Sequence, residues 1–137
     1  MSHLARSALA LALGFLGAMV AACRGGDGTG TSGPTPGTLS VVLATPNTDD
    51  GAILFRVSGP DMSQVSAGDA TLYFRQVQQG TTITAVVVGN LHTGTLLTFH
   101  VPDVDAASSY SATILQVADR ANALRGTLGG YGLMVRE

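Results

Sequence analysis

From residue 38 onward the chain is cut into seven short runs of alternating apolar and polar residues, and this rhythm constrains the fold more than anything else in the sequence. The runs are 38–44, 52–58, 70–77, 81–88, 95–101, 110–117 and 131–135, each bounded by Gly, Pro, Asn, Asp or Ser clusters. A period of two places every second side chain on one face of a strand, and short strands at such spacing predict a sandwich rather than alternating β/α units. Leu39, Val41 and Leu43 share one face of the first run; Ile53, Phe55 and Val57 do so in the second, and Leu97, Phe99 and Val101 in the fifth. In the third, Leu72 and Phe74 face inward and Tyr73 and Arg75 outward. Residues 85–88 are apolar on both faces, which predicts a central strand. Val, Leu, Ile and Phe supply 29 of the 100 residues from 38 to 137, enough apolar matter for a core. The expected fold is therefore all-β: one antiparallel sandwich of about seven to nine strands. Residues 119–124 are expected to add one helical turn.

The first 37 residues read differently. Arg6 precedes an unbroken apolar run over residues 8–22. As a helix this run would span about 22 Å, short of the roughly 30 Å of a bilayer core. A helical signal peptide over 1–22 is the better expectation. Residues 24–37, RGGDGTGTSGPTPG, carry no large apolar side chain and predict a flexible tether. The single Cys excludes a disulfide framework and a Cys-based zinc cluster. Charge rests on seven Arg, eight Asp and one Glu with no Lys; the net −2 gives no basic footprint for nucleic acid.

The end of the apolar run, Val20-Ala21-Ala22-Cys23, resembles the lipobox of bacterial lipoproteins. That resemblance implies export, cleavage before Cys23, a lipidated Cys23 whose thiol carries thioether-linked diacylglycerol with fatty chains such as palmitate, and partnership with a membrane through the lipid. It divides the chain into signal peptide 1–22, acylated Cys and tether 23–37, and folded domain 38–137. Arg24 follows the acylated position. By the sorting pattern of Gram-negative lipoproteins this implies the outer membrane, and otherwise the cell membrane.

For chemistry in the domain, His92 and His100 lie eight residues apart with no further metal-ligand spacing around them. Asp49, Asp50, Asp103 and Asp105 cluster carboxylates in expected loops. They are calcium candidates by ligand type and turn formers by their local hydrogen bonding. Ser58-Gly59-Pro60 is not a nucleophile elbow, and the one Glu is the last residue, so paired-carboxylate catalysis has no footing. Neither an enzyme nor a cofactor is expected. Tyr73, Tyr110 and Tyr131 are candidates for stacking on a glycan. Arg120 and Arg125 are candidates for a partner contact on the short helix, where Asp119 would cap the turn and Leu124 pack beneath it.

Three segments are similar to the cohesin-like and carbohydrate-binding sandwich superfamily: residues 51–60 (GAILFRVSGP), 89–101 (GNLHTGTLLTFHV) and 110–126 (YSATILQVADRANALRG). The resemblance implies a binding or scaffolding role at the cell envelope, toward an envelope or secreted protein. The alternative it implies is a tethered carbohydrate-binding module facing polysaccharide. The chain is shorter than typical cohesins, and residues 61–69 are compressed.

Overall fold

A computed structural model describes residues 33–137. The signal peptide, the lipobox residues with Cys23, Arg24 and the tether to residue 32 lie outside the described residues.

The described chain is an all-β sandwich of eight strands and one short 3-10 helix. The strands are β1 (Gly37–Ala44), β2 (Asp50–Ser58), β3 (Ser63–Ala67), β4 (Tyr73–Gln79), β5 (Thr82–Leu91), β6 (Gly94–Val101), β7 (Ser111–Asp119) and β8 (Gly132–Arg136), and the 3-10 helix is Val104–Ser109. One sheet has the order β3-β6-β1-β8 and the other β4-β5-β2-β7, and every strand pair is antiparallel. Only β4 and β5 form a hairpin within a sheet; every other connection passes from one sheet to the other. In the hairpin Gln79 pairs with Thr82, and Gly80 takes φ +58°, the positive value that a two-residue turn with this twist requires.

The alternation seen in the sequence is what closes the core. Leu39, Val41 and Leu43 of β1, with Leu97, Phe99 and Val101 of β6, face Ile53, Phe55 and Val57 of β2 and Ile83, Ala85 and Val87 of β5. All are buried. Phe99 and Tyr110 meet at 5.6 Å between ring centres in a tilted pair. β5 is an interior strand, as its apolar residues on both faces predict.

Several local details depart from the sequence reading, among them that β5 runs on to Leu91 and β7 to Asp119. An additional strand, β3, forms inside the segment expected as a compressed loop; it is a half-exposed edge strand with a single aliphatic residue, Val65, so its periodicity is faint. The third strand starts at Tyr73, because residues 69–72 form a turn closed by Leu72 N–H donating to the Asp69 carbonyl at 3.1 Å. The last strand begins at Gly132 rather than 131. No helix forms at 119–124. There Asn122 adopts φ +65°, and the Asp119 carboxylate accepts the Ala121 and Ala123 N–H groups at 2.9 Å each. Leu124, expected beneath a helix, is exposed and bridges to Ala118. Among the described residues the helical turn lies instead at Val104–Ser109, capped by the Asp103 side chain.

The strand directions give the domain two ends. The proximal end, where the chain comes in at Gly37, gathers residues 33–36, 59–62, 80–81 and 102–110. The distal end gathers loops 45–49, 68–72, 92–93 and 120–131. Residues ahead of β1 are tied down: Thr35 donates through its N–H to Asp103 Oδ1 (3.1 Å) and through its hydroxyl to Asp105 Oδ2 (3.2 Å), and its carbonyl accepts from Val104 N–H (2.8 Å).

Candidate functional site

Asp50, the first residue of β2, is fully buried at the distal end. Its carboxylate accepts from the Thr45 hydroxyl, from the Tyr131 hydroxyl at 2.9 Å, and from Nε and Nη2 of Arg125 at 3.0 and 2.9 Å. Arg125 also pairs with Asp49, and lies 4.0 Å from Asp119. Burial pushes the Asp50 pKa upward as the largest single influence. The donors from Thr45, Tyr131 and Arg125, with the guanidinium charge, outweigh it and leave the pKa below the ordinary carboxylate value. The same two carboxylates raise the Arg125 pKa further. Among the described residues no buried side-chain polar atom lacks a partner.

Four residues that sequence reasoning sorted into separate roles thus meet in one cluster. Asp49 and Asp50 were calcium candidates, and Arg125 and Tyr131 surface candidates. Folded together, they fasten the 120–131 loop to the start of β2. The acceptors of Asp50 are filled by protein donors, and the Tyr131 hydroxyl is committed to Asp50 while accepting from Asn47 Nδ2 at 2.6 Å. Arg120 stands outside the cluster. Its Nη2 donates to the Thr48 carbonyl (3.0 Å) and its backbone N–H to the Asp49 carbonyl (2.9 Å). That backbone approach needs Gly51, where a Cβ would sit 2.9 Å from Arg120 Cα.

At the proximal end Asp103 and Asp105 serve the chain itself: Asp103 caps the 3-10 helix and both hold Thr35. The three tyrosines do not form a row. Tyr110 is buried against Phe99, with its pKa raised by burial and then by the carboxylates of Asp61 and Asp103. Tyr73 is 55% exposed on β4, with the Arg75 guanidinium 5.1 Å from its ring centre. His100 is half-buried on β6 and His92 is exposed in the β5–β6 turn. Among the described residues no three or more His, Cys, Asp and Glu side chains stand together as a metal site.

The outer faces of the two sheets have opposite chemistry. On β3-β6-β1-β8 the register aligns Thr38, His100 and Ser63 in one row and Ser40, Thr98, Ser66 and Arg136 in the next, a surface mostly of hydroxyls. On β4-β5-β2-β7 the rows are Tyr73-Val88-Ala52-Ala118, Arg75-Val86-Leu54-Gln116 and Val77-Thr84-Arg56-Thr113. A bulge between Leu54 and Phe55 turns Leu115 out beside them. Val77 is 61% exposed. This face holds Arg56 and Arg75 and no carboxylate, although the protein as a whole is acidic. Sequence reasoning missed it, yet its signal was the two-sided apolar stretch 85–88, which buries only one of its sides.

By their fold the described residues are an eight-stranded antiparallel sandwich. Comparison with protein-family models, with curated proteins and with solved structures finds no match to this chain.

Proposed function

We propose that this protein is a lipid-anchored binding or scaffolding protein of the cell envelope, acting through the outer face of β4-β5-β2-β7 on an acidic protein partner and not by catalysis. The observation that carries this reading is that face: exposed Val77, Val88 and Tyr73, half-exposed Leu54 and Val86, two arginines and no carboxylate. An apolar centre with charge of one sign favours a complementary surface. A symmetric contact between two copies of the face would bring four arginines and no carboxylate into one interface, so a different, acidic protein is the better occupant. The anchor rests on Val20-Ala21-Ala22-Cys23, the only Cys falling where acylation requires it. An envelope localisation follows from it, with the outer membrane implied by Arg24 where there are two membranes.

The test immobilises the full chain in detergent and exposes it to envelope and secreted fractions, with calcium and with chelator. An acidic protein should be retained near stoichiometrically by the native chain and lost by the R56E/R75E double variant, with little dependence on calcium. Equal retention by both chains removes the face from the reading. For the anchor, Cys23→Ser should shift the mass and release the protein from membranes; unchanged mass and fractionation refute acylation.

A further inference from the structure

A second feature lies at the distal end, apart from both the Asp50 cluster and the apolar face. The 68–72 loop and the β5–β6 turn leave between them a half-enclosed cavity of about 240 Å3. Leu72, Leu91 and Leu96 give it an apolar lining, and Asp69, Asn90, His92 and Thr95 supply polar groups around it. Leu91 and Leu96 are buried, so the floor is fixed by the core.

Two of those polar groups are set as acceptors. Asp69 Oδ1 accepts both the backbone N–H and the hydroxyl of Thr71, at 2.7 Å each. Those two bonds hold its pKa below the ordinary value. They also fix the carboxylate plane, while Oδ2 takes no hydrogen bond from the described residues. His92 Nδ1 lies 3.2 Å from the Asn90 carbonyl oxygen. A carbonyl only accepts, so Nδ1 carries the hydrogen, which leaves Nε2 as the ring nitrogen able to accept. The Nε2 edge is turned over Gly94, which itself lines the cavity: a Cβ there would stand 3.8 Å from both Nε2 and Cδ2.

We propose that this cavity binds a single sugar ring through a vicinal diol, the two hydroxyls donating to Asp69 Oδ2 and His92 Nε2. A diol places two donors on adjacent atoms and keeps acceptor lone pairs to receive hydrogen bonds from the Asn90 amide and the Thr95 hydroxyl. A primary ammonium would suit Asp69 but has no lone pair with which to accept from the Asn90 amide or the Thr95 hydroxyl. The volume is below the roughly 300–1,000 Å3 of pockets that take drug-sized ligands, which limits the ligand to about one ring. The leucines offer an apolar surface for the C–H face of that ring. The site goes beyond the protein-partner reading and shares no residue with the face on which that reading rests.

The test records imidazole NMR signals of the full chain in a non-glycosidic detergent, titrated with the methyl glycosides of glucose, mannose and galactose, and separately with methylammonium chloride. His92→Phe assigns the His92 signals. At least one glycoside should move them at millimolar concentration and leave His100 in place. Asp69→Asn, which replaces an acceptor by a donor, should weaken binding about tenfold or more. No glycoside moving the His92 signals, equal binding by Asp69→Asn, or a response to methylammonium alone overturns the proposal. Asp69 and His92 are both exposed, so an unchanged far-ultraviolet circular dichroism spectrum checks that the variants are folded. The R56E/R75E variant should keep the glycoside response, separating this result from failure of the partner reading.

Discussion

Two pairs of aspartates look alike in the sequence and do different work at opposite ends of the sandwich. Asp49 and Asp50 lie before and at the start of β2; Asp103 and Asp105 flank the first residue of the 3-10 helix. Either pair could serve a loop or a cation. Folding buries Asp50 completely and gives it a cation from a strand connection 75 residues away. It leaves the other pair with neutral partners, Thr35 and the local backbone, near the surface. A buried carboxylate demands a counter-charge and a full set of donors, whereas a partly hydrated one asks little of its neighbours. The difference is burial, and burial is decided by residues remote in the sequence.

That contrast predicts a graded series. Asp50→Ala should be the most destabilising, by about 3 kcal/mol, read as a lowered urea midpoint. This is the lower part of the range for breaking a buried pair, because Arg125 keeps 21% of its side chain exposed and retains Asp49. Arg125→Met should act in the same direction through the same loop, and the double variant with Asp50→Ala should fall well short of the sum of the two. Additive effects would mean the two groups do not act as one unit. Asp103→Ala should cost about 1 kcal/mol, the worth of an N-cap, and Asp105→Ala less than about 0.5 kcal/mol, as for an ordinary surface change. Reversal of this order would break the comparison.

Acid sharpens it further. The folded pKa of Asp50 lies below the ordinary value of 3.8. Its contribution is therefore present above that value and is lost as pH falls through the lower folded one. The native chain should lose stability across this acid window, and Asp50→Asn should flatten that part of the profile. An equal acid slope in the two chains would place the titrating group elsewhere.

The strands were legible because burial on one face leaves a period of two, and β1, β2, β5 and β6 carry it plainly. β3 escaped notice because an edge strand with one aliphatic residue has little to bury. The 119–124 turn was misread since Asp119 caps backbone N–H groups in a tight turn as readily as in a helix, and nothing local distinguishes the two. The Asp50 cluster was unreadable for a different reason: its members were all noticed, but only the β2–β7 and β1–β8 pairings bring residues 45–50 and 119–131 together. The apolar outer face was present in the sequence as residues 85–88, where two-sided apolarity announced an interior strand and concealed a solvent-facing row. Residues 68–69 and 92–94 read as turns and residues 70–72 as the start of a strand, and their common cavity exists only once β3, β4, β5 and β6 are in place.

The place where the chain joins the sandwich also determines how the domain bears a pull. The N-terminal segment runs into β1, which has hydrogen-bonded neighbours on both sides, β6 and β8. Tension along that strand meets the cross-strand bonds at right angles, so they are loaded together in shear. The Thr35 clasp to Asp103 and Asp105 lies ahead of the ladder, so a pull on the N-terminal segment would load it before the sheet.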